Sequence, residues 1–525
     1  MGRGINMNYN FSTHVENYQL NHPDQLAIVA LSQDGGERRL TYRELFDLVK
    51  GTQEQFAREG IKQGDRVLVM VGRGVESYQI YLALLRMGAV IMPGSEMLRA
   101  KDIAYRLRHA QATVVVTAEH IADEVEAAVD QSSVKKIAVD FIRDGFVTLY
   151  STQSATQNMP AADTDEKDMA FISYTSGTTG GPKGVVHVHG WAKAHLANAA
   201  TYWFDAAPNE WAWATAGPGW AKWVWSPFVS ILGKGGTAFI YVGRFDPQVY
   251  LSLMEAYPIS LLCATPTEYR LMAKSQAIKT WKPQALRSAV SAGEPLNREV
   301  IDAFRSACGV LVRDGYGQTE NSLLVATQVG MELKPGSMGK PTPQSEVAVL
   351  DDDGNILNTG EIGHIAVKKT LPTLFQGYLY DPERTAKAFL GDYYITGDLG
   401  RFDDDGYLWF EGRSDDMIIS AGYTIGPFEV EDALVSHPAV AECAAVASPD
   451  DERGHIVKAF IIVKAGVEPT DQLKEELKDY VKRVTAPYKY PREIEFVTDL
   501  PKTASGKIRR IELRTAEKQR KNKVL

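Results

Sequence analysis

The sequence predicts an α/β protein with a large N-terminal domain, which holds mixed α/β sheets and a β-rich subdomain, and a small α+β C-terminal domain joined to it by a hinge. Three observations carry this prediction. Short β-branched runs alternate with helical periodicity from residue 66 to about 291, strands follow one another without helices between 346 and 367, and a fresh alternation begins after 413. We therefore expect domains at residues 1–412 and 413–525.

The first alternating region predicts most of the N-terminal domain. A helix is expected at residues 77–87, where apolar residues recur with a helical period. Strands are expected at residues 66–71, 113–117, 136–140, 169–174, 237–242, 259–264 and 288–292, where β-branched residues cluster. Strands interleaved with helices are typical of an α/β fold.

The β-rich subdomain is indicated by turn signals rather than by helices. Asp351-Asp352-Asp353-Gly354 predicts a tight turn between two strands, and Asp403-Asp404-Asp405-Gly406 predicts a second one. Beyond a boundary near residues 412–416, the C-terminal domain is expected to contain helices at 429–437 and 471–484 and strands at 440–447, 457–463 and 493–497.

Composition narrows the functional classes. The 525 residues carry 57 Lys and Arg against 66 Asp and Glu, a net charge of −9, so no general field attracts nucleic acid. The three cysteines are far apart and lack CxxC spacing, which suits a reducing cytoplasm better than a disulfide framework. The N-terminus lacks the apolar run of a secretory signal, and no stretch reaches a membrane span. We expect a soluble cytoplasmic protein without nucleic-acid partners.

The strongest local motif is a hydroxyl- and glycine-rich loop at residues 174–184. Glycines let backbone N–H groups approach an anion, hydroxyls add donors, and a lysine adds charge, so the loop suits phosphate. It is not a Walker A loop, because Pro182 precedes Lys183 and Gly184 follows it. A surface hairpin is the alternative interpretation. The candidate phosphate-binding residues are Thr175, Ser176, Gly177, Thr178, Thr179, Gly180 and Lys183.

A different class of function is suggested by three histidines. His187, His189 and His195 have HxHx₅H spacing, and two histidines at i and i+2 of a strand would share a face. This keeps a metallohydrolase using His187 and His189 open as an alternative. It is the weaker hypothesis, because no carboxylate or cysteine lies at comparable spacing to supply a third ligand.

Five further motifs follow in order along the chain. They are Ser291-Ala292-Gly293-Glu294-Pro295-Leu296, Tyr316-Gly317-Gln318-Thr319-Glu320, Tyr394-Ile395-Thr396-Gly397-Asp398, Gly412-Arg413-Ser414-Asp415-Asp416 and Pro501-Lys502-Thr503-Ala504-Ser505-Gly506-Lys507. Together with the glycine-rich loop they resemble the adenylate-forming enzymes, which include acyl-CoA synthetases, luciferases and peptide-synthetase adenylation domains. The resemblance spans nearly the whole chain. Residues 422–427 and 453–460 are most similar to the medium-chain acyl-CoA synthetase branch.

The resemblance implies an ATP-dependent acyl-CoA synthetase, an acid-thiol ligase that forms an acyl-adenylate and then a CoA thioester. It implies that Lys507 neutralises the carboxylate and α-phosphate, that Glu320 ligates Mg²⁺ beside Thr319, and that Asp398 and Arg413 bind the ribose. The alternative interpretation is that Lys507 is a solvated lysine, one of eight basic residues in a tail at 507–523. The adenine slot implied by the family comprises Gly293, Glu294, Pro295, Asp314, Gly315 and Tyr316.

The acyl pocket implied by the family lies in a segment with six of the nine tryptophans, although such clusters are more often core. We expect Trp220 to form a wall and Gly317, where acetate-specific relatives carry Trp, to leave depth. Residues 211–240 contain no Asp or Glu to pair an ammonium, so a medium-chain, branched or aromatic acid is expected rather than an amino acid.

The resemblance also assigns the second step. Gly422, Tyr423 and Arg453 occupy positions that bind CoA in relatives, and Asp415 occupies the hinge. The medium-chain pattern usually has Arg, which reaches toward the ATP phosphates, where this chain has Thr424. The substrates would be ATP, CoA and the acid, and a homodimer is compatible with the family. Two alternatives stay open: transfer of the acyl group to a carrier-protein thiol, and a non-catalytic nucleotide-binding relative.

Overall fold

The structure is a computed structural model. It describes residues 8–129, 134–175, 182–293, 296, 298–414, 416–420, 423–450, 453–485, 487–502 and 507–522. None of the helices in these ranges combines the length and the apolar character that crossing a membrane requires.

The strands and helices of the described ranges are numbered in chain order. The strands are β1 Leu26–Ser32, β2 Glu37–Thr41, β3 Arg66–Met70, β4 Val90–Pro93, β5 Val114–Thr117, β6 Lys135–Val139, β7 Val147–Leu149, β8 Met169–Thr175, β9 Lys183–Val188, β10 Trp211–Ala214, β11 Thr237–Val242, β12 Ile259–Ala264, β13 Ser288–Ala292, β14 Val312–Gly317, β15 Leu323–Ala326, β16 Ser337–Pro341, β17 Val347–Leu350, β18 Gly363–Lys368, β19 Gly377–Tyr378, β20 Phe389–Leu390, β21 Tyr393–Phe402, β22 Leu408–Arg413, β23 Ile418–Ser420, β24 Tyr423–Ile425, β25 Val440–Asp450, β26 Gly454–Val463 and β27 Glu493–Phe496. The α-helices are α1 Phe11–Asn21, α2 Tyr42–Arg58, α3 Val75–Arg86, α4 Ala100–Ala110, α5 Ala122–Ala128, α6 His189–Ala197, α7 Ala221–Trp223, α8 Pro247–Ala256, α9 Pro266–Lys274, α10 Arg298–Cys308, α11 Pro382–Lys387, α12 Pro427–Val435, α13 Asp471–Val484 and α14 Arg510–Asn522. Short 3₁₀ turns lie at Glu119–Ile121, Gln276–Lys279 and Pro487–Lys489, and π-helical segments at Ala200–Phe204 and Val224–Ile231.

The largest sheet positions most of the candidate site. Its order is β17-β18-β21-β22-β16-β15-β14-β13-β12-β10-β11-β1-β2, with β20 paired to β21. Neighbouring strands from β11 to β14 run parallel, so the carboxyl ends of β10, β12, β13 and β14 meet at one edge. Such an edge is where α/β sheets bind ligands. From β15 onward the strands are antiparallel, and the β-rich part continues this sheet.

The second sheet has the order β19-β9-β8-β4-β3-β5-β6-β7. Strands β8 and β9 form an antiparallel hairpin with Thr175 opposite Lys183, so the glycine-rich loop lies at the tip of this hairpin. Strand β19 adds to β9 and brings residues 377 and 378 beside the same hairpin.

The C-terminal part has sheets of its own. Strands β23 and β24 pair, and β25, β26 and β27 form a separate sheet. Its apolar core, which includes Val430, Ala459, Ile461 and Leu477, is made of residues from this part of the chain.

The predicted fold class, α/β with mixed sheets and a separate C-terminal domain, is confirmed. Strands at 237–242, 259–264 and 288–292 and the helix at 471–484 have the expected bounds, and the other predicted elements differ by a few residues. Helix α14 was missed, because its sequence resembles a basic tail. The expectation that His187 and His189 share a strand face is wrong: β9 ends at Val188, and His189 begins α6.

Candidate active site

The glycine-rich loop connects the two strands of a hairpin whose ends are well defined. Ser176, Gly177, Thr178, Thr179 and Gly180 lie outside the described residues. Thr175 ends β8, and its Oγ1 is buried without a hydrogen-bond partner among the described groups. Because a buried hydroxyl without a partner is costly, this oxygen is suited to a ligand or a water.

Lys183, Glu320 and Tyr378 form a compact polar cluster at the base of the hairpin. Lys183 Nζ lies 2.7 Å from Glu320 Oε1 and 2.8 Å from the Tyr378 hydroxyl, which itself donates to Glu320 Oε1 at 2.9 Å. The Glu320 side chain is 8% exposed. Burial and the neighbouring carboxylate raise the pKa of Tyr378 above its usual range. The cluster therefore pairs the lysine of the phosphate loop with the predicted metal ligand.

The backbone around Glu320 is tightly hydrogen-bonded. Thr319 O accepts from His187 Nε2 at 2.6 Å, and Glu320 O accepts from the N–H of Phe375 at 2.7 Å. Asn321 Oδ1 accepts from the N–H of Gln318 at 2.9 Å. The segment that carries Thr319 and Glu320 is thus held from several sides.

Asp398 lies where a ribose could be bound through its two oxygens. It is 6% exposed and accepts hydrogen bonds from the Tyr316 hydroxyl at 2.5 Å and from Gln318 Nε2 at 3.0 Å. In the pairing of β21 with β22, Asp398 lies opposite Arg413. Burial, with the adjacent Asp398 carboxylate, raises the pKa of Tyr316 above its usual range. The structure therefore brings together three of the residues predicted to bind the nucleoside.

The catalytic lysine candidate lies beside the turn after β13. A Cβ built on Gly293, whose φ is +113°, would lie 3.9 Å from Lys507 Nζ. This places a residue of the C-terminal part over the nucleotide motif of the large sheet. Glu294 and Pro295, the next residues of that motif, lie outside the described residues.

Lys222 is a site residue that the sequence analysis missed. Its Nζ donates to Ala292 O at 2.8 Å, immediately before Gly293. Lys507 and Lys222 thus approach the same two-residue stretch. The sequence signal that could have indicated it is a lysine within the tryptophan-rich segment, which contains no acidic residue from 211 to 240.

Asp314 is buried at the end of β14. Its Oδ1 accepts from the N–H of Gly315 at 2.8 Å, and burial raises the pKa of Asp314 to about 7. A Cβ on Gly315 would lie 2.7 Å from both the Trp203 ring and Leu323, so only glycine fits there without a shift. The backbone after Asp314 is therefore packed directly against an aromatic ring.

Three of the clustered tryptophans belong to the core: Trp203, Trp213 and Trp223. Trp220 is partly exposed and precedes the short helix α7. A small cavity of about 10 Å³ beneath this segment is lined by Arg73, Gly74, Tyr78, Trp213, Ala214, Thr215, Ala216, Trp223, Phe239, Ile240, Tyr241 and Tyr250. Trp220 does not line it.

Gly317 has a closer neighbour than the sequence indicated. A Cβ at this position would lie 1.6 Å from Ser322 O, so any side chain here requires the backbone to move. In this backbone, a tryptophan at position 317 would displace the chain at Ser322. The assignment of Gly317 to the acyl pocket stays a prediction.

Two of the three histidines, His187 and His195, form side-chain hydrogen bonds, whereas neither ring nitrogen of His189 has a partner among the described groups. Burial lowers the pKa of His187 and of His189 to about 4 and that of His195 to about 3, so their rings are neutral. Within the ranges that the structure describes, no group of three or more His, Cys, Asp or Glu side chains could hold a metal ion. The described structure thus offers no support for the metallohydrolase alternative.

The hinge and CoA candidates are described only in part. Asp415 and Gly422 lie outside the described residues, Tyr423 begins β24, and Arg453 donates its backbone N–H to Asp450 Oδ1 at 2.9 Å. Next to the predicted hinge, Asp416 forms ion pairs with Arg514 and, at 3.9 Å, with Arg510 of α14.

Comparison with known proteins gives consistent results. The family model described as AMP-binding enzyme matches residues 15–379, and that of the AMP-binding enzyme C-terminal domain matches 429–507. The chain is 51% identical to a protein named uncharacterized acyl-CoA ligase YtcI of Bacillus subtilis, covering 98% of this chain and 97% of that protein. It is 41% identical to the mitochondrial acyl-coenzyme A synthetase ACSM3 of Rattus norvegicus, covering 92% and 85%.

Solved structures are similar over nearly the full length. An anthranilate CoA ligase, AuaEII, in complex with anthranoyl-AMP aligns with a TM-score of 0.88 at 28% identity, covering 98% of both chains. A benzoate CoA ligase from Burkholderia xenovorans LB400 aligns with a TM-score of 0.86 at 28% identity, covering 96% of this chain and 100% of that one.

Proposed function

The chain belongs to the AMP-binding enzyme family, and from that premise we propose that it is an AMP-forming acyl-CoA synthetase, an acid-thiol ligase. One observation supports this most: Lys507 lies beside Gly293, at the edge of the large sheet where the other candidate nucleotide residues lie. A carboxylate oxygen would attack the α-phosphorus of ATP and release pyrophosphate. A CoA thiolate would then attack the acyl carbon and release AMP.

The first step must bring two anions together, so it depends on cations and donors that are already in place. We assign charge neutralisation of the carboxylate and α-phosphate to Lys507 and binding of the remaining phosphates to Lys183 and residues 175–180. Asp398 and Arg413 would hold the ribose. Gly293, Glu294, Pro295, Asp314, Gly315 and Tyr316 would form the adenine slot, in which small residues and an aromatic face admit a flat base.

The residues present fit a Mg²⁺ that arrives with ATP. Mg²⁺ is commonly held by one or two carboxylates plus substrate phosphates rather than by an all-protein cage. Glu320 is such a single, nearly buried carboxylate, with the Thr319 hydroxyl as its neighbour in sequence and Lys183 within 2.7 Å. When bound, the ion would neutralise phosphate charge. Glu320 would hold it, and Lys183 would be available to the phosphates.

The second step requires a different arrangement of the C-terminal part. Lys507 serves adenylation, whereas Gly422, Tyr423 and Arg453 would bind CoA, and both groups belong to residues 413–525. We propose that this domain rotates relative to residues 1–412 about Asp415. Short linkers can absorb such rigid-body turns in a few backbone torsions.

The proposed acid is medium-chain, branched or aromatic. The segment at 211–240 has no acidic residue for an ammonium group. The relatives support the same range, since one is named an acyl-CoA synthetase and two are named for benzoate and anthranilate. Trp220 and Gly317 are kept as pocket candidates. This substrate range would place the enzyme in fatty acid or aromatic acid metabolism.

Location and assembly are part of the same proposal. Cys263, Cys308 and Cys443 are unpaired, as expected of a protein from a reducing cytoplasm. We propose a cytoplasmic enzyme whose substrates are ATP, CoA and the acid, and a homodimer is compatible with it.

Pyrophosphate exchange across a panel of carboxylic acids, repeated with CoA, tests the proposal. We expect exchange that depends on the acid, and thioester formation once free CoA is added. Transfer to a carrier-protein thiol without reaction of free CoA would favour the alternative acceptor. Absence of exchange with every acid would exclude an adenylating enzyme for the tested range.

A further inference from the structure

We propose that His187, Trp191 and His195 are positioning residues, which hold the backbone of residues 319–322 and thereby fix the Glu320 carboxylate for adenylation. The inference rests on the proposed function, because it assigns Glu320 to the ATP-bound metal. It explains a histidine motif that the established family resemblance does not use.

Each of the three rings takes one polar group from the 319–322 segment. His187 Nε2 donates to Thr319 O at 2.6 Å, and Trp191 Nε1 donates to Asn321 O at 2.6 Å. His195 Nδ1 lies 2.6 Å from Ser322 Oγ. The contacts therefore flank Glu320 on both sides along the chain.

The spacing of these residues produces the arrangement. His187 is in the last part of β9, and Trp191 and His195 are four residues apart in α6, so they share one helix face. The Trp191 ring lies 5.3 Å from the His187 ring and 5.0 Å from the His195 ring, and it stacks on the latter with an interplanar angle of 18°. All three side chains are buried. The rings therefore form a packed row that cannot shift one member alone.

His195 also contacts the tryptophan-rich segment on its other side. Its Nε2 donates to Trp225 O at 3.0 Å and lies 2.9 Å from Ser230 Oγ. Because Nε2 donates and the ring is neutral, Nδ1 accepts from the Ser322 hydroxyl. His195 thus connects the Glu320 segment with the tryptophan-rich segment, where the acid is proposed to bind.

The hydrogen bonds to residues 319–321 explain how side chains that do not touch the substrate can position Glu320. Thr319 O, Glu320 O and Asn321 O are each held by a donor from outside the segment. The held backbone fixes the point from which the Glu320 side chain extends, and Lys183 and Tyr378 contact its carboxylate directly. Displacement of a catalytic group by about 1 Å can lower a rate about 100-fold, so the donors matter even though none touches substrate.

The test uses paired variants of the full-length enzyme. His187→Leu removes the donor, whereas His187→Gln keeps an amide nitrogen near the position of Nε2. Trp191→Phe keeps an aromatic ring between the two histidines but removes the N–H together with the five-membered ring of the indole. His189→Leu is the matched control, because among the described residues neither ring nitrogen of buried His189 has a hydrogen-bond partner.

Two readouts are taken. Calorimetry measures the binding of a non-hydrolysable ATP analogue over a series of Mg²⁺ concentrations. Kinetic assays measure the two half-reactions separately: adenylation of the acid, and thioester formation from supplied acyl-adenylate. We expect His187→Leu and Trp191→Phe to raise the Mg²⁺ concentration for half-maximal binding several-fold and to lower adenylation about 10- to 100-fold. Thioester formation should change less than twofold. His187→Gln should recover most of the loss, and His189→Leu should match wild type.

Equal losses in both half-reactions, without recovery by His187→Gln, would overturn the proposal. The rings of His187, Trp191 and His195 would then contribute only to the stability of the fold. An unchanged Mg²⁺ dependence in both His187→Leu and Trp191→Phe would overturn it as well. If wild-type enzyme adenylates no acid, the proposed function fails. The calorimetric comparison still decides the positioning claim, because it needs no turnover.

Discussion

At the scale of single residues, the candidate site depends on groups that meet from distant parts of the chain. Lys183 and Tyr378 are 195 residues apart, and Tyr378 and Glu320 are 58 apart, yet they share one hydrogen-bonded cluster. The carboxylate at its centre is almost fully buried. A buried charge needs such partners, because burial without pairing is unfavourable.

Lys507→Ala should lower adenylation about 100- to 1000-fold, the loss typical of removing one donor to a developing charge. Thioester formation from supplied acyl-adenylate should continue, because the lysine acts on the first transition state only. Pyrophosphate exchange measures the first step, and CoA-dependent thioester formation measures the second. Lys502→Ala, which removes an exposed lysine paired with Glu442, is the control. Equal losses in both steps would remove Lys507 from the adenylation site.

Asp314→Asn should change the pH dependence of stability. Burial raises the pKa of Asp314 to about 7, so the folded state holds its proton more tightly than the unfolded state. The resulting stabilisation is complete below about pH 4 and declines as pH rises through about 7, by an amount on the order of 4 kcal/mol. Asparagine does not titrate, so the stability of the variant does not decline in this way. The unfolding temperature of the variant relative to wild type should therefore rise between pH 5 and pH 8.

The control for this prediction is Asp404→Asn, which alters an exposed carboxyl in a turn. The difference in unfolding temperature between Asp404→Asn and wild type should stay constant over the same pH range. A constant difference for Asp314→Asn as well would show that this carboxyl stays ionised in the folded protein.

The residues of the site were predictable where a motif marks them and unpredictable where only packing does. Lys183, Glu320, Asp398 and Lys507 each lie in a motif. Lys222 does not, and its contact with Ala292 O follows from the path of the tryptophan-rich segment. For the same reason, the roles of His187 and His195 could not be derived from their spacing.

At the scale of elements, α14 is held to the C-terminal part by buried ion pairs. Arg510 Nε and Nη2 donate to the Glu431 carboxylate at 2.9 and 2.6 Å, and Lys458 Nζ lies 2.9 Å from Glu517. The helix begins three residues after Lys507. Its attachment therefore limits how far the lysine can move independently of its domain.

Arg510→Met should destabilise the C-terminal part by about 3–5 kcal/mol, because it leaves the buried Glu431 carboxylate without its partner. Limited proteolysis near the C-terminus and the unfolding temperature measure the effect. Arg509→Met is the matched control: Arg509 pairs with Glu512 at the surface, where such pairs contribute less than about 1 kcal/mol. Similar effects of the two substitutions would show that the Arg510 pair does not anchor α14.

Elements were predictable where one physical signal dominates. The short runs of apolar and small residues at β11, β12 and β13 are buried strands, and their bounds agree with the sequence pattern. Helix α14 has few apolar residues and is stabilised by ion pairs, which periodicity does not detect. The π-helical segment at Val224–Ile231 contains Pro227 and is packed by tryptophans, so local propensity does not predict it.

At the scale of the whole molecule, the proposed two-step reaction uses one C-terminal domain in two arrangements. The described structure has Lys507 beside Gly293, which is the arrangement proposed for adenylation. A separate C-terminal domain could be predicted from the sequence, because a fresh alternation of strands and helices begins after residue 413. The relative placement of Lys507 could not, because it depends on contacts across the boundary.

Asp415→Pro should retain adenylation and lose most thioester formation. Proline fixes φ near −65° and removes a backbone donor, so a linker that must change torsion between steps is held in one arrangement. Pyrophosphate exchange and single-turnover thioester formation are the measurements. Asp415→Ala, which keeps the torsional freedom, should support both steps. Wild-type rates for both steps in the proline variant would place the hinge elsewhere.

Oxygen labelling tests whether the acid is activated as an adenylate before it reacts with CoA. A carboxylic acid labelled with ¹⁸O in both oxygens is converted with ATP and CoA, and the products are analysed by mass spectrometry. We expect one ¹⁸O atom in AMP and the other in the thioester carbonyl, because the bridging oxygen leaves with AMP. Label in inorganic phosphate together with ADP, or unlabelled AMP alongside thioester, would contradict it.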